Sequence, residues 1–122
     1  MKRTTEMWER ARRGCLWLLE RQRADGSWSG LSDPKVDAFY KGSWVLTVTG
    51  HLAASQRLLG LVSRRFQRPD GDFAPRGHPW HTNVHHLYPN AYLIIGAMVA
   101  GRYDVAVPAA TFVLGQQDPR HG

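Results

Sequence analysis

The sequence predicts an all-α chain, a row of antiparallel helical hairpins with about two and a half copies in 122 residues. Internal repetition is the first observation. Gln22-Arg23-Ala24-Asp25-Gly26-Ser27-Trp28 aligns without a gap on Gln67-Arg68-Pro69-Asp70-Gly71-Asp72-Phe73, forty-five residues later. A second register lies between these copies: Tyr40-x-x-x-Trp44 matches Tyr88-x-x-x-Tyr92 at an offset of forty-eight. A third copy of the first segment begins at Phe112, brings Gln117 fifty residues after Gln67 and stops at Gly122. The second observation is that apolar residues recur at spacings of three and four, and the third is that long and minimal loops alternate.

Each element follows from local pattern. Thr4 or Thr5 is an N-cap candidate ahead of Glu6. Trp8, Ala11, Cys15, Leu18, Leu19 and Gln22 then mark one face, so a helix is expected over about 5–23. A short helix over 40–49 stops at Gly50, a residue suited to the left-handed cap position. Its Val45, Thr47, Val48 and Thr49 are β-branched, the least helical stretch of the chain. Leu52, Leu58, Leu59, Val62 and Phe66 define a third helix ending near Gln67. A fourth runs over 88–100, with Pro89 in its first turn and Gly101 as its stop. Asp104 is the cap candidate for a fifth over 105–117, with Pro108 expected in its opening turn. The hairpins divide a single domain, 1–122, into repeats at about 5–49, 50–100 and 101–122 (truncated). Loops 24–39 and 68–87 are long and rich in Gly, Pro, Asp and His. Both lead from one helix of a pair into the next, so they are expected at the same end of the row.

Composition narrows the class. Hydrophobic residues are 43% and charged residues 21%, enough for a packed core. With Cys15 alone no intrachain disulfide forms, and the N-terminus leads into a charged amphipathic stretch without an apolar signal core. The longest apolar run, 91–100, is too short to span a bilayer. A cytoplasmic protein is therefore expected. The net charge of +6 favours anionic partners, but no zinc-finger, recognition-helix or aromatic RNA-binding signature accompanies it, so no specific nucleic-acid partner is expected. Arg10, Arg12, Arg13, Arg21 and Arg23 alternate with Glu6, Glu9 and Glu20 as the solvated face of a helix.

The stretch Arg13-Gly14-Cys15-Leu16-Trp17-Leu18-Leu19-Glu20-Arg21-Gln22-Arg23-Ala24-Asp25-Gly26-Ser27-Trp28 resembles the QW repeat of squalene and terpenoid cyclases and of protein prenyltransferase β subunits. It has the basic residue, the small residue, the aromatic, and then Gln and Gly-x-Trp. The second copy has Val62 at the aromatic position and Phe73 for the tryptophan; the third has Phe112, Val113 and Gln117 and ends before its aromatic. The resemblance spans nearly the whole chain. It implies an (α/α) toroid in which outer helices carry the glutamine and inner helices line a central apolar cavity for an isoprenoid or other hydrophobic substrate. It also implies that further repeats, or a self-association partner, complete the core. The Asp-x-Asp-Asp acid motif of the protonating cyclases does not occur in the chain, and nothing maps onto the zinc ligands of the prenyltransferases.

The repeated motif has a structural reading of its own. A glutamine at a helix end bonds open backbone groups of a neighbouring helix, Asp-Gly forms the turn, and the aromatic covers the amide. Gln22, Asp25, Gly26, Trp28, Gln67, Asp70, Gly71, Phe73 and Gln117 are therefore assigned to architecture, and Cys15 to the core. Asp70-Gly71-Asp72 is no acid motif, since the turn already accounts for Asp70 and Gly71.

Four of the six histidines fall within 78–86. His81 and His85 have the i, i+4 spacing that grips a metal on a helix, but no third ligand stands near in sequence, so neither is assigned to a metal. No residue pattern requires a cofactor; zinc and magnesium are left open. The candidate substrate-binding residues are Asp37, Tyr40, Lys41, Trp80, His81, His85 and Tyr88, with Lys41 and Arg76 as attractors of a diphosphate. Two classes stay open: a piece of a cyclase- or prenyltransferase-like enzyme, favoured by the long loops, and a non-catalytic helical-repeat scaffold, favoured by the missing acid motif.

Overall fold

A computed structural model of the chain describes residues 2–79 and 85–121. It is all-helical: α1 (Lys2–Arg21), α2 (Gly42–Val48), α3 (Leu52–Phe66), α4 (Tyr88–Val99) and α5 (Tyr103–Gly115), with a 3-10 turn at Val36–Ala38 before α2. Among the described residues the only β pairing is two isolated antiparallel bridges, Gln22 to Trp28 and Gln67 to Phe73. No described helix is long and apolar enough to cross a membrane.

Helix α2 packs on α3 and α4, and α4 on α5. The core is Val36, Phe39, Leu46, Leu58, Leu59, Val62, Phe66, Phe73, Leu93 and Val105, all buried. Phe39 links Trp28 and Phe66, at ring separations of 6.5 and 5.6 Å. Thr47 lies within α2 and Thr49 is its C-cap, and each hydroxyl is satisfied by a carbonyl one turn back: Thr47 Oγ1 donates to Ser43 at 2.9 Å and Thr49 Oγ1 to Val45 at 2.7 Å. Helices α2 and α4 cross closely enough that a Cβ on Gly96 would fall 2.0 Å from Ser43 Oγ.

Several local expectations are corrected. Helix α1 begins at Lys2, so Thr4 and Thr5 lie inside it and neither caps it. Its expected apolar face is also mostly bare. Cys15 is buried, and Leu18 and Leu19 pack partly on the core, but Trp8 is 57% exposed and Ala11 is exposed. The physical reason is that α1 meets the other helices only over its last turns. The solvated face forms as expected, with Arg10–Glu6 at 2.5 Å and Arg12–Glu9 at 3.4 Å.

Helix α5 starts two residues early. Asp104 does not cap it, because both carboxylate oxygens are taken by Arg102, at 2.8 and 2.7 Å. Pro108 is consequently its sixth residue and lies beyond the opening turn. Gly50 and Gly101 take the positive φ expected of helix stops.

The segments at Gln22 and Gln67 make the same set of bonds. Gln22 Nε2 donates to the Ala54 carbonyl and Gln67 Nε2 to the Val105 carbonyl, both at 2.9 Å. Arg23 N–H donates to Ser27 O and Arg68 N–H to Asp72 O, both at 2.8 Å. Asp25 Oδ1 accepts from the Ser27 amide, and Asp70 Oδ1 from the Asp72 amide. Each glutamine thus reaches the first turn of the second helix after it, through a carbonyl and not through the open N–H groups. The Gln117 segment differs. Helix α5 ends at Gly115, Gln117 is exposed, and the aspartate-stabilised turn forms at Asp118, one residue after the glutamine instead of three.

Candidate functional site

Loop 24–39 and the stretch 68–79 of the second long loop meet at one end of the fold. Val36 N–H donates to the Pro75 carbonyl at 3.2 Å, and Asp37 Oδ2 accepts from the Gly77 amide at 2.6 Å and from the His78 amide. Beside this contact the aromatics of the second register gather. Tyr40 precedes α2 and Tyr88 opens α4; with Tyr92 one turn on they form a triangle of edge-on rings, at 5.8, 5.7 and 5.0 Å. Trp44 extends it, 5.9 Å from Tyr92, and the exposed His85 ring lies 6.3 Å from Tyr88.

Lys41 sits over this triangle. Its Nζ is 5.4, 5.6 and 5.2 Å from the Tyr40, Tyr88 and Tyr92 ring centres, inside cation–π range of all three. Interaction with Tyr92 first, and with Lys41 second, holds the Tyr88 phenol below the ordinary tyrosine range. Tyr88 in turn holds the Lys41 ammonium above the usual lysine range and raises Tyr92. Tyr40, Lys41 and Asp37 line an open cleft of about 330 Å³ floored by Leu18, Trp28 and Val45. His85, His86, Leu87, Tyr88 and Ala91 line a neighbouring cleft of about 460 Å³.

The structure therefore brings together Asp37, Tyr40, Lys41, His85 and Tyr88 among the sequence candidates. Trp80 and His81 lie outside the described residues, so the His81–His85 pairing does too. Among the described residues no three of His, Cys, Asp and Glu come together to hold a metal ion. Arg76 is corrected as a diphosphate attractor. Its side chain is only 3% exposed, and Nη2 donates to Asp72 Oδ1 at 2.8 Å and to Asn90 Oδ1. Burial pushes this guanidinium's pKa down, against the raising influence of Asp72 and Asp37.

Sequence reasoning missed four residues here. Trp44 and Tyr92 were visible as the second half of the repeated Tyr40/Tyr88 register. Asp72 and Asn90 carried no such signal, because only the chain's path around the second turn joins them to Arg76. No protein-family model, curated protein or solved structure matches this chain.

Proposed function

We propose that the chain is a segment of an (α/α) toroid of the terpenoid cyclase and prenyltransferase type, about two and a half hairpins long, that binds an isoprenoid or other hydrophobic substrate at its loop end. The aromatic cluster carries this reading. Tyr40 and Tyr88, and Trp44 and Tyr92, are equivalent positions of successive hairpins, yet their rings converge on one surface, the three tyrosines under a single ammonium group. Flat aromatic faces suit a chain of apolar, unsaturated units, and Lys41 supplies a charge for an anionic end. Asp37 holds the second loop against the first. Trp80, His81 and His85 are assigned to substrate contact from that loop.

The apolar side chains of Ile95, Met98, Val99, Val107 and Leu114 are exposed on α4 and α5, which supports a covering partner, either further repeats or a second chain. A cytoplasmic location remains the expectation from sequence. A non-catalytic scaffold is the second reading. It is favoured by the engagement of both nearby carboxylates, Asp37 with backbone amides and Asp72 with Arg76 and Asn90.

Titration with farnesyl diphosphate, farnesol and inorganic diphosphate, followed by tryptophan fluorescence, tests the proposal. Saturable quenching by both farnesyl compounds, stronger for the diphosphate, is expected. Quenching that Trp44→Leu and Tyr92→Ala leave unchanged, or none at all, would overturn it.

A further inference from the structure

We propose that His86 and Asp72 form a proton-accepting dyad facing the cleft beside α4, for a hydrophobic ligand that carries an ionisable C–H or O–H bond. The inference goes beyond the binding reading above and rests on it only for the hydrophobic character of the ligand.

Asp72 is one of three positions at which the two joint segments differ, and the one that adds a charge. The equivalent residue of the first is Ser27, which bonds to Asp25 and completes the same turn without a charge. The turn therefore does not require Asp72. Yet a carboxylate stands there, 6% exposed, with Oδ1 accepting from Arg76 Nη2 at 2.8 Å and from Asn90 Nδ2 at 3.0 Å. The positions equivalent to Arg76 and Asn90 are Leu31 and Gly42, so this charged cluster belongs to the second copy alone. Burial of such a cluster costs stability, and it is left incomplete: Arg76 Nε and Nη1 are buried with no hydrogen-bond partner.

The other oxygen, Oδ2, lies 3.5 Å from His86 Nε2. A carboxylate fixed on one side and facing an imidazole on the other orients that ring and balances the charge it gains on taking a proton. His86 is 42% exposed and lines the 460 Å³ cleft with Leu87, Tyr88 and Ala91. The groups around it are Asp72 and Arg76 behind, His85 and Tyr88 along the cleft, and the Phe112 ring of α5 at 6.2 Å. With Nε2 turned to Asp72, Nδ1 is the nitrogen that receives the proton. Asp72, Arg76 and Asn90 are positioning residues.

The test uses 5-nitrobenzisoxazole, a flat apolar probe of a general base. The base removes the ring C–H proton, that bond's electron pair completes a nitrile, and the N–O bond breaks to leave a nitrophenolate. The rate should fall by about ten-fold or more in His86→Gln. Asp72→Asn should lower it as well, since the ring loses the carboxylate that orients it. If that variant does not fold, the nitrogen-15 shifts of the wild-type His86 ring must show the neutral imidazole carrying its proton on Nε2 and leaving Nδ1 bare. A wild-type rate in His86→Gln, or a neutral ring with its proton on Nδ1, would overturn the dyad. Farnesol binding would be untouched by either result, so the two proposals fail separately.

Discussion

Gln67 reaches thirty-eight residues along the chain to Val105, its Nε2 donating to that carbonyl at 2.9 Å, as Gln22 does to Ala54. These bonds tie each turn to the first turn of the second helix after it. Gln22→Ala and Gln67→Ala should each destabilise by roughly 1–3 kcal/mol, the range for a bond whose loss strands a partly buried partner. Phe73→Ala, which empties a fully buried site, should cost about 3–5 kcal/mol. Urea denaturation checks both; unchanged midpoints in the glutamine variants would refute the joint.

Gly71 is packed against the chain it turns beside. It has φ +93°, and a Cβ there would fall 2.1 Å from the Pro108 carbonyl oxygen. Gly30 also has positive φ, but open space surrounds it. Gly71→Ala should therefore lower the melting temperature far more than Gly30→Ala, whose penalty is backbone strain alone, about 1–2 kcal/mol. Equal shifts would mean that the close approach to α5 is not maintained in solution.

The tyrosine cluster predicts an order of titration. Tyr88 is depressed by Tyr92 and Lys41, so its contribution to stability is present above the ordinary tyrosine pKa and fades as pH falls through its lowered folded value. Lys41 is raised, so its contribution is present below the ordinary lysine pKa and is lost as pH rises through the raised value. The paired charges thus strengthen the cluster in the alkaline window between these two values. In NMR titration of the phenol carbons, Tyr88 should ionise before Tyr92, and Lys41→Met should move Tyr88 upward. Ionisation of Tyr92 first would contradict the opposite displacement of the two phenols.

Asp37 joins the two long loops through the amides of Gly77 and His78. Asp37→Ala should speed hydrogen exchange at both amides while leaving the Leu58 and Leu59 amides of α3 protected. Unchanged exchange at Gly77 would remove Asp37 as the tie between the loops.

Helices α2 to α5 were legible because their apolar residues recur at helical spacing and glycines stop two of them. The bare half of α1 was not, since its pattern of Trp8, Ala11 and Cys15 states which face is apolar and not whether a neighbour covers it. Asp104 misled for a related reason. An aspartate beside a helix start reads as a cap, but an arginine two residues earlier binds it better. At the site, Tyr40 and Tyr88 announced themselves by repetition. Lys41 was read for its charge alone, and its place above three rings depends on how α2 and α4 pack.

The central claim, that a hydrophobic ligand sits on the rings of Tyr40, Trp44, Tyr88 and Tyr92, is tested most directly by aromatic NMR shift mapping during a farnesol titration. The account predicts saturable shifts confined to these four rings and to His85, abolished in the Tyr88→Ala, Tyr92→Ala double variant. Shifts centred instead on Trp17, which lines an adjoining apolar groove with Arg21 and Leu31, or an unchanged spectrum at saturating farnesol, would contradict it.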